Sequence, residues 1–424
     1  MLFFNYEQYV KTNIQMHIQK EKIIILLFAA LFFCINTLLA QHDTSAIKMK
    51  ILDSSNNKDL IDVYHQIFNN QKHKKVTQTT KKNNYNMALV PALGYTIQTG
   101  VEIDLSGNIG FYTSDEETNL SSIVANIAYT AKNQILLPVQ TNIWTKKNKF
   151  ILQGDWGYYK FPEDTYGLGG YTTNDQTNAV ADSYIHFYES ILKNISRDLF
   201  LGVGYQLDYH WNIVESGNYD GKVSDFSKYG YNEKSISSGL SLNFLYDNRR
   251  NSINPEKGFY VNGVYRNNFS FLGSDNKAKL LKLDVRKYIK LNKHNNNVLA
   301  FWSYNWLSFG GKTPYLDLPS TGWDTYNNTG RGYVQSRFRG KNMLYCESEY
   351  RFGISRNQLL GAVLFGNVES FTEPISNKFE KVLPAVGAGL RIQFKKLSRT
   401  NIAIDYAFGA NGARGFFINL GEVF

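Results

Sequence analysis

The densest group of side chains that could do chemistry lies near the C-terminal end, around Arg331-Gly332-Tyr333. Arg331 stands between glycines and beside a tyrosine, and Arg337 and Arg339 follow in the same stretch. An arginine packed among glycines and aromatic rings needs a carboxylate or a water-filled cavity, because an unpaired buried charge is costly. The chemistry that this stretch predicts is therefore an ion pair. The alternative is an ordinary solvated loop arginine.

Carboxylates follow at once, on a tract that alternates in polarity. From Met343 to Phe352 the sequence sends Glu347 and Glu349 to one face and Leu344 and Tyr350 to the other, because successive strand residues point to opposite sides. The tract has a charged face and an apolar face. Its charged face could supply partners for Arg331, and its apolar face fits either a protein core or lipid.

A search for catalytic and metal-binding patterns predicts none. The histidines do not cluster at ligand spacing, and no strand-to-helix nucleophile motif is present. We therefore expect no catalytic residue, no metal site and no cofactor. His186 and His210 fall on predicted strands, so an outer-membrane enzyme that uses a barrel histidine stays open as an alternative. The full set is His17, His42, His65, His73, His186, His210 and His294.

The N-terminus reads as an export signal. Ile23 to Phe33 is an apolar run, too short for a membrane-spanning helix of about 20 residues. Lys20 and Lys22 precede it, and Leu38-Leu39-Ala40 follows, as in a secretory signal peptide. We expect residues 1–40 to be the signal peptide, with the true start at Met16. Cys34 offers a lipoprotein alternative, but the bulky Phe33 before it disfavours acylation.

Composition limits the remaining classes. The chain has 424 residues with 29 Tyr and 28 Phe, and a formal net charge of +10. The basic residues are dispersed and form no recognisable nucleic-acid module, so we expect no nucleic acid as a partner. After processing only Cys346 remains, which excludes a disulfide framework.

Residues 41–86 are polar and rich in lysine and asparagine. Within them Leu60, Tyr64, Ile67 and Phe68 recur at helical spacing, which predicts a short amphipathic helix over Asn57 to Asn69. The lysines that follow are typical of a solvated linker, or of a segment that touches anionic headgroups. The segment is too short for an ordinary periplasmic domain.

From residue 87 onward the pattern changes to about sixteen tracts of roughly ten residues with period-two alternation. They include Ser183 to Leu192, Leu199 to Trp211 and a last tract, Gly415 to Phe424. Long and short connections alternate along the chain, as in outer-membrane barrels, which have long outer loops and short periplasmic turns. The fold class that we predict is all-β: a transmembrane antiparallel β-barrel over residues 87–424, with a short periplasmic helix before it. A soluble sandwich would also alternate, but its interior would not be polar.

These residues resemble the BamA/TamA superfamily of outer-membrane assembly barrels, also called the bacterial surface antigen family. Arg331-Gly332-Tyr333 matches the family's Arg-Gly-aromatic motif on the sixth outer loop, and by strand counting this stretch lies on that loop. The resemblance implies that the loop folds into the lumen and that the arginine pairs with acidic residues on later strands. The candidate partners are Glu347, Glu349, Glu369 and Asn367, the last of which stands where the family usually has an aspartate.

Two further stretches are similar to family features. Tyr246 to Arg250, with Pro255 and Gly258, resembles the periplasmic turn between the eighth and ninth strands. The end of the chain resembles the terminal signal by which outer-membrane strands are recognised for insertion. The residues of that signal are Phe417, Asn419, Leu420, Gly421 and Phe424.

The first strand carries Pro91 and Gly94. Proline removes a ladder donor, which predicts a weak seam between the first and last strands. An openable seam is what lateral insertion into lipid requires. The alternative is that Pro91 starts the strand or occupies a bulge.

The resemblance implies a bacterial outer-membrane protein that assists insertion or translocation of proteins, or of lipids. The chain is most similar to short forms that lack the periplasmic POTRA domains. Expected partners are outer-membrane lipids and outer-membrane client proteins or assembly machinery, with the barrel itself monomeric. The alternative function is a passive diffusion pore or a structural barrel without a client.

Overall fold

The computed structural model describes residues 57–68, 85–96, 99–114, 118–230, 232–249, 251–292, 297–396 and 399–424. The predicted signal peptide, residues 1–40, lies outside the described residues, as does the predicted start at Met16. The domain boundaries at residues 40 and 86 therefore stay predictions. Within the described part of the chain no helix is both long and apolar enough to cross a membrane.

The described residues form two helices, seventeen strands and a few short 3-10 turns. The helices are α1 (Leu60–Phe68) and α2 (Asp225–Gly230). The strands are β1 (Tyr85–Thr96), β2 (Gly100–Phe111), β3 (Ser121–Thr130), β4 (Ile135–Trp144), β5 (Phe150–Lys160), β6 (Glu163–Thr165), β7 (Asn178–Ser196), β8 (Leu199–Asn218), β9 (Lys234–Asp247), β10 (Gly258–Asn268), β11 (Lys279–Lys290), β12 (Val298–Phe309), β13 (Met343–Gly353), β14 (Leu360–Phe371), β15 (Leu383–Lys395), β16 (Thr400–Gly409) and β17 (Arg414–Leu420).

Each long strand pairs with its sequence neighbours in an antiparallel ladder, from β1 with β2 through to β16 with β17. The three-residue strand β6 is an addition in the outer loop, where it pairs with β7, while β5 pairs with β7 directly. Without β6 the barrel has sixteen strands, which confirms the predicted fold class.

The faces of the strands are inverted relative to a soluble protein. On β13, Glu347 and Glu349 are 3% and 1% exposed, whereas Leu344 on the opposite face is 39% exposed. On β16, Asp405 is buried and Phe408 is exposed. Such a band of outward apolar side chains around a polar interior suits lipid outside and a polar lumen inside.

Several elements differ in length from the sequence prediction. Strands β7 and β8 run past the predicted ends at Ser183 and Trp211, and extend their hairpin on the side of the long loops. Strand β17 is shorter than predicted and stops at Leu420. The chain turns away at Gly421, whose φ of +107° favours glycine.

The two ends of the sheet meet at β1 and β17, which lie side by side. Strand β17, Arg414–Leu420, is much shorter than β1, Tyr85–Thr96. The described residues of the two strands form no continuous ladder, in contrast to every other neighbouring pair of barrel strands. This seam is where the barrel has the fewest backbone hydrogen bonds to break.

Candidate functional site

Loop six, defined as residues 310–342 between β12 and β13, folds back into the barrel. Arg331 is 2% exposed, and Nη1 lies 2.6 Å from Oδ2 of Asp405 on β16. Its Nη2 donates to Glu347 and to Glu349, both on β13. We call these four residues the Arg331 cluster. It joins loop six to two separate hairpins of the wall.

Side chains of the surrounding barrel wall neutralise the carboxylates of the Arg331 cluster and pack against its guanidinium group. Arg351 lies 2.6 Å from Glu349, and Arg391 lies 2.5 Å from Asp405, so two more guanidinium groups share the three carboxylates. The Arg331 guanidinium also lies 3.6 Å from the ring centre of Phe365. A buried arginine that is paired with carboxylates and stacked on a ring is strongly held, and removal of one partner leaves uncompensated charge.

The structure brings some of the predicted partners together. Glu347 and Glu349 contact Arg331, and their role in holding the loop stays a prediction. Asn367 contacts it differently, because its Nδ2 donates to the Arg331 carbonyl oxygen at 2.9 Å. Glu369 does not pair with the guanidinium and instead accepts from Thr321 Oγ1 at 2.9 Å, within loop six. Asp405 was not among the predicted partners, although its alternation already placed it on the polar face.

Gly332 and Tyr333 fix the course of loop six against β15 and β16. Gly332 has φ +114°, and a Cβ there would lie 2.7 Å from the Ala385 Cβ. The Tyr333 hydroxyl donates to the Pro384 carbonyl at 2.7 Å and accepts from the Ala410 amide at 2.9 Å. The glycine therefore allows a close approach that the tyrosine then secures.

Loop six is also bound to loop three, defined as residues 161–177 between β5 and β7. Arg339 lies 3.3 Å from Oε1 of Glu163 on β6, and Ser336 Oγ donates to the same carboxylate. Arg337 donates from Nη1 to Thr172 Oγ1 at 2.9 Å. These contacts join the two loops across the outer end of the barrel.

A histidine forms a further link to loop six. His210 on β8 places Nδ1 2.6 Å from Asp182 on β7 and Nε2 3.0 Å from Asp317 of loop six. Its ring stacks on Tyr184 at 4.1 Å. With a carboxylate at each nitrogen, the ring serves as a double donor when protonated. The second strand histidine, His186, contacts Asp155 at 3.1 Å.

The residues of the predicted terminal signal are divided between the faces of the barrel. Leu420 is exposed on the apolar exterior, whereas Phe417 packs with an inner cluster that includes Phe365. Phe424 is 3% exposed inside the lumen, where its ring stacks on Trp302 at 5.2 Å.

The end of β17 and the residues that follow it also contact loop six. Asn328 donates to the Val423 carbonyl at 2.8 Å, and Asn419 donates to Asn328 at 3.2 Å. The signal role of these residues stays a prediction.

The structure also places the predicted seam residues and the predicted periplasmic turn. Pro91 and Gly94 lie within β1, in register with Leu105 and Glu102 of β2, so Pro91 is in the middle of that strand. Asp247 and Arg249 pair at 2.9 Å in the turn between β9 and β10. Gly258, with φ +126°, closes that turn near the Arg249 backbone.

Loop six leaves polar space in the lumen. Two cavities of about 430 and 760 Å³ lie beside it, and Asp155 and Lys282 line both. Within the part of the chain that the structure describes, no group of three or more His, Cys, Asp or Glu side chains is arranged to hold a metal ion. The arrangement is suited to holding a loop in place and to solvating a polar segment.

A closed sixteen-stranded antiparallel barrel with an apolar exterior and an ion-paired inner loop defines an outer-membrane β-barrel protein. Residues 141–424 match the model of the Omp85 superfamily domain. The chain belongs to the Omp85 superfamily. Members of this family are outer-membrane proteins of Gram-negative bacteria that act in protein assembly or secretion with client proteins, and they are typically not enzymes.

Solved structures share the fold at low sequence identity. BamA from Haemophilus ducreyi lacking POTRA domains 1–3 is 15% identical, with a TM-score of 0.54, over 80% of this chain and 70% of that one. CdiB from Acinetobacter baumannii is 13% identical, with a TM-score of 0.54, over 80% of this chain and 60% of that one. CdiB from Escherichia coli is 8% identical, with a TM-score of 0.53 and shares of 80% and 67%. No curated protein sequence matches the chain.

Proposed function

We propose that this barrel assists the insertion or translocation of other proteins at the outer membrane, and that it is not an enzyme. Membership of the Omp85 superfamily supports the class of activity. The observation that carries the proposal is the Arg331 cluster, because it holds loop six across the lumen. A lumen obstructed in this way suits an assembly barrel better than an open diffusion channel.

The seam supports a lateral route for the client. Strand β17 offers only a short edge, Arg414–Leu420. Because the described residues of β1 and β17 share no continuous ladder, unlike other neighbouring strands such as β16 and β17, these two strands should separate most readily. Pro91 contributes to this in our proposal, since it cannot donate a ladder hydrogen bond. An unpaired strand edge can then pair with a client strand by backbone hydrogen bonds.

The test is an insertion assay with purified protein in lipid vesicles. An unfolded eight-stranded outer-membrane barrel is added to vesicles with the protein and to matched empty vesicles, and the rate of its insertion is followed by protease protection. We expect faster insertion with the protein. Equal rates in both kinds of vesicle would contradict the assembly role.

The second candidate is a passive pore, and the polar cavities beside loop six favour it. Cavities of about 430 and 760 Å³ could join into a water-filled path if loop six moved. A pore would give large, steady currents in wild-type protein and would not accelerate client insertion. Outer-membrane lipids surround the barrel in either case, and lipid transfer remains an alternative client class within the first proposal.

A further inference from the structure

Helix α1 begins at an N-terminal cap formed by two aspartates, Asp59 and Asp62. The Asp62 amide donates to Asp59 Oδ1 at 2.9 Å, and the Asp59 amide donates to Asp62 Oδ2 at 3.1 Å. Reciprocal bonds of this kind satisfy amides at a helix start that would otherwise lack partners. Both carboxylates therefore sit at the first turn of α1, where the positive end of the helix dipole stabilises them.

The same two carboxylates also contact a periplasmic turn of the barrel. Asp59 Oδ2 accepts from the Lys396 backbone amide at 3.0 Å, at the turn between β15 and β16. The Lys396 ammonium lies 2.7 Å from Asp62 Oδ2. Asp59 is 4% exposed as a result, which is unusual for an aspartate on a short helix at the edge of a molecule.

The residues just before α1 contact a second turn. The Lys58 amide donates to the Asn357 carbonyl at 2.9 Å, at the turn between β13 and β14. Asn57 Nδ2 donates to Gln358 Oε1 at 3.3 Å. The two turns together form a surface that we call the periplasmic rim, made of residues 354–359 with Lys396 and Arg399.

The rim is complementary in charge to the start of α1. It carries Arg356, Lys396 and Arg399, and Lys395 adjoins it at the end of β15. Burial by itself would raise the pKa of Asp62, but the hydrogen bonds from Lys396 and Asp59 and the charge of Lys396 together outweigh burial and hold that pKa below its usual range. The carboxylate is therefore charged at neutral pH, as an ion pair with the rim requires.

The periplasmic rim lies close in the fold to both the Arg331 cluster and the seam. Its two turns end the hairpins that carry Glu347, Glu349 and Asp405, the carboxylates of the Arg331 cluster. Helix α1 precedes β1 in the chain, yet it rests against β15, on the other side of the seam from β1. Separation of β1 from β17 therefore changes the distance between α1 and the start of β1.

We infer that the periplasmic rim is a docking surface for an acidic, N-capped helix, and that the chain's own residues 57–68 occupy it in the resting protein. The surface recognises the helix through one backbone amide, one backbone carbonyl and the Lys396 ammonium. A periplasmic partner that reached these turns would have to displace α1. This inference goes beyond the proposed function and does not depend on client insertion.

The test is disulfide trapping in the full chain, with both natural cysteines, Cys34 and Cys346, replaced by serine. Lys58→Cys and Asn357→Cys form the test pair, since their backbone hydrogen bond suits the Cα separation of about 4.4–6.8 Å that disulfides need. Gln66→Cys with Asn357→Cys is the matched control. Gln66 is exposed, and it lies eight residues further along, of which the six steps from Leu60 span about 9 Å at the helical rise.

We expect the test pair to cross-link at least several-fold faster than the control pair, as measured by gel mobility after mild oxidation. Adding Lys396→Glu, or Asp59→Ala with Asp62→Ala, should slow the test pair roughly tenfold. The first change replaces the ion pair with Asp62 by charge repulsion, and the second removes both carboxylates that accept from Lys396. Equal rates for the two pairs would overturn the docking surface. If the test pair cross-links fast and its rate is unchanged by the charge substitutions, the proposed recognition through Lys396, Asp59 and Asp62 would be overturned.

Discussion

Arg331 and Asp405 lie 2.6 Å apart although 74 positions separate them in the sequence. Arg331 belongs to loop six and Asp405 to β16, while Glu347 and Glu349 of β13 contact the same guanidinium. Loop six is thereby fastened to two hairpins that meet only through β14 and β15. The ion pairs therefore hold loop six in the lumen and also connect the β13–β14 hairpin to the β15–β16 hairpin through Arg331.

Replacement of Arg331 by alanine should destabilise the barrel strongly. Three carboxylates would lose their shared partner inside a buried site, and such changes cost about 3–5 kcal/mol. The readout is the temperature at which the folded band is lost on unboiled gels. Arg197→Ala is the control, because that side chain is 95% exposed. Equal melting of R331A and R197A would show that the cluster contributes little.

Asn367→Asp should lower stability, although an aspartate is the usual residue at this position in the resembled family. Asn367 donates to the Arg331 carbonyl, and an aspartate could not. It would also stand directly opposite Glu347 in the ladder between β13 and β14. The same melting experiment measures this, with Asn367→Leu as a comparison that removes the donor without adding charge. A higher melting temperature for N367D would contradict the account.

Gly332→Ala should be more harmful than its backbone angle alone explains. The new Cβ would meet Ala385 at 2.7 Å, whereas a Cβ at Gly412, also at positive φ, meets nothing within 4 Å. Both substitutions carry a backbone cost of about 1–3 kcal/mol. Only G332A should add a packing cost, again about 1–3 kcal/mol. Similar melting of G332A and G412A would argue against a tight fit of loop six.

Glu163 and Arg339 should behave as a coupled pair. They join loops three and six, so removal of either should release the other. A double-mutant cycle with E163A and R339A should give a coupling of about 0.5–3 kcal/mol. Protease cleavage within loop six provides the structural readout. Strict additivity of the two changes would mean that the loops are independent.

Much of this molecule follows from periodicity. The alternating tracts from residue 87 onward predicted about sixteen strands, and alternation within β13 and β16 predicted their polar faces, with Glu347 and Glu349 on the charged face of β13. Contacts that cross the lumen could not be predicted in the same way. Alternation places Asp405 on the polar face of its strand, and Glu163 lies in a stretch predicted as an outer loop, but nothing local indicates which loop residue either carboxylate contacts. The inward turn of the chain at Gly421 was also missed, because Phe417 to Phe424 continues to alternate after the ladder has ended.

The position of α1 against the barrel is a second long-range contact that the sequence pattern does not predict. Leu60 and Tyr64 at helical spacing predicted a helix close to the observed Leu60–Phe68. The contact between Asp59 and Lys396 joins residues 337 positions apart and depends on how the barrel closes. Sequence spacing predicts the element, and the closed sheet decides what lies beside it.

Single-channel conductance tests the central claim, that ion pairs hold loop six as a plug in the lumen. Wild-type protein, R331A, R197A and a variant with residues 321–342 replaced by a short Gly/Ser linker are compared in planar bilayers. We expect small currents from wild type and R197A, intermittent openings from R331A, and large steady currents from the loop variant. Large steady currents from wild-type protein would contradict the claim, because the lumen would then be open with loop six in place.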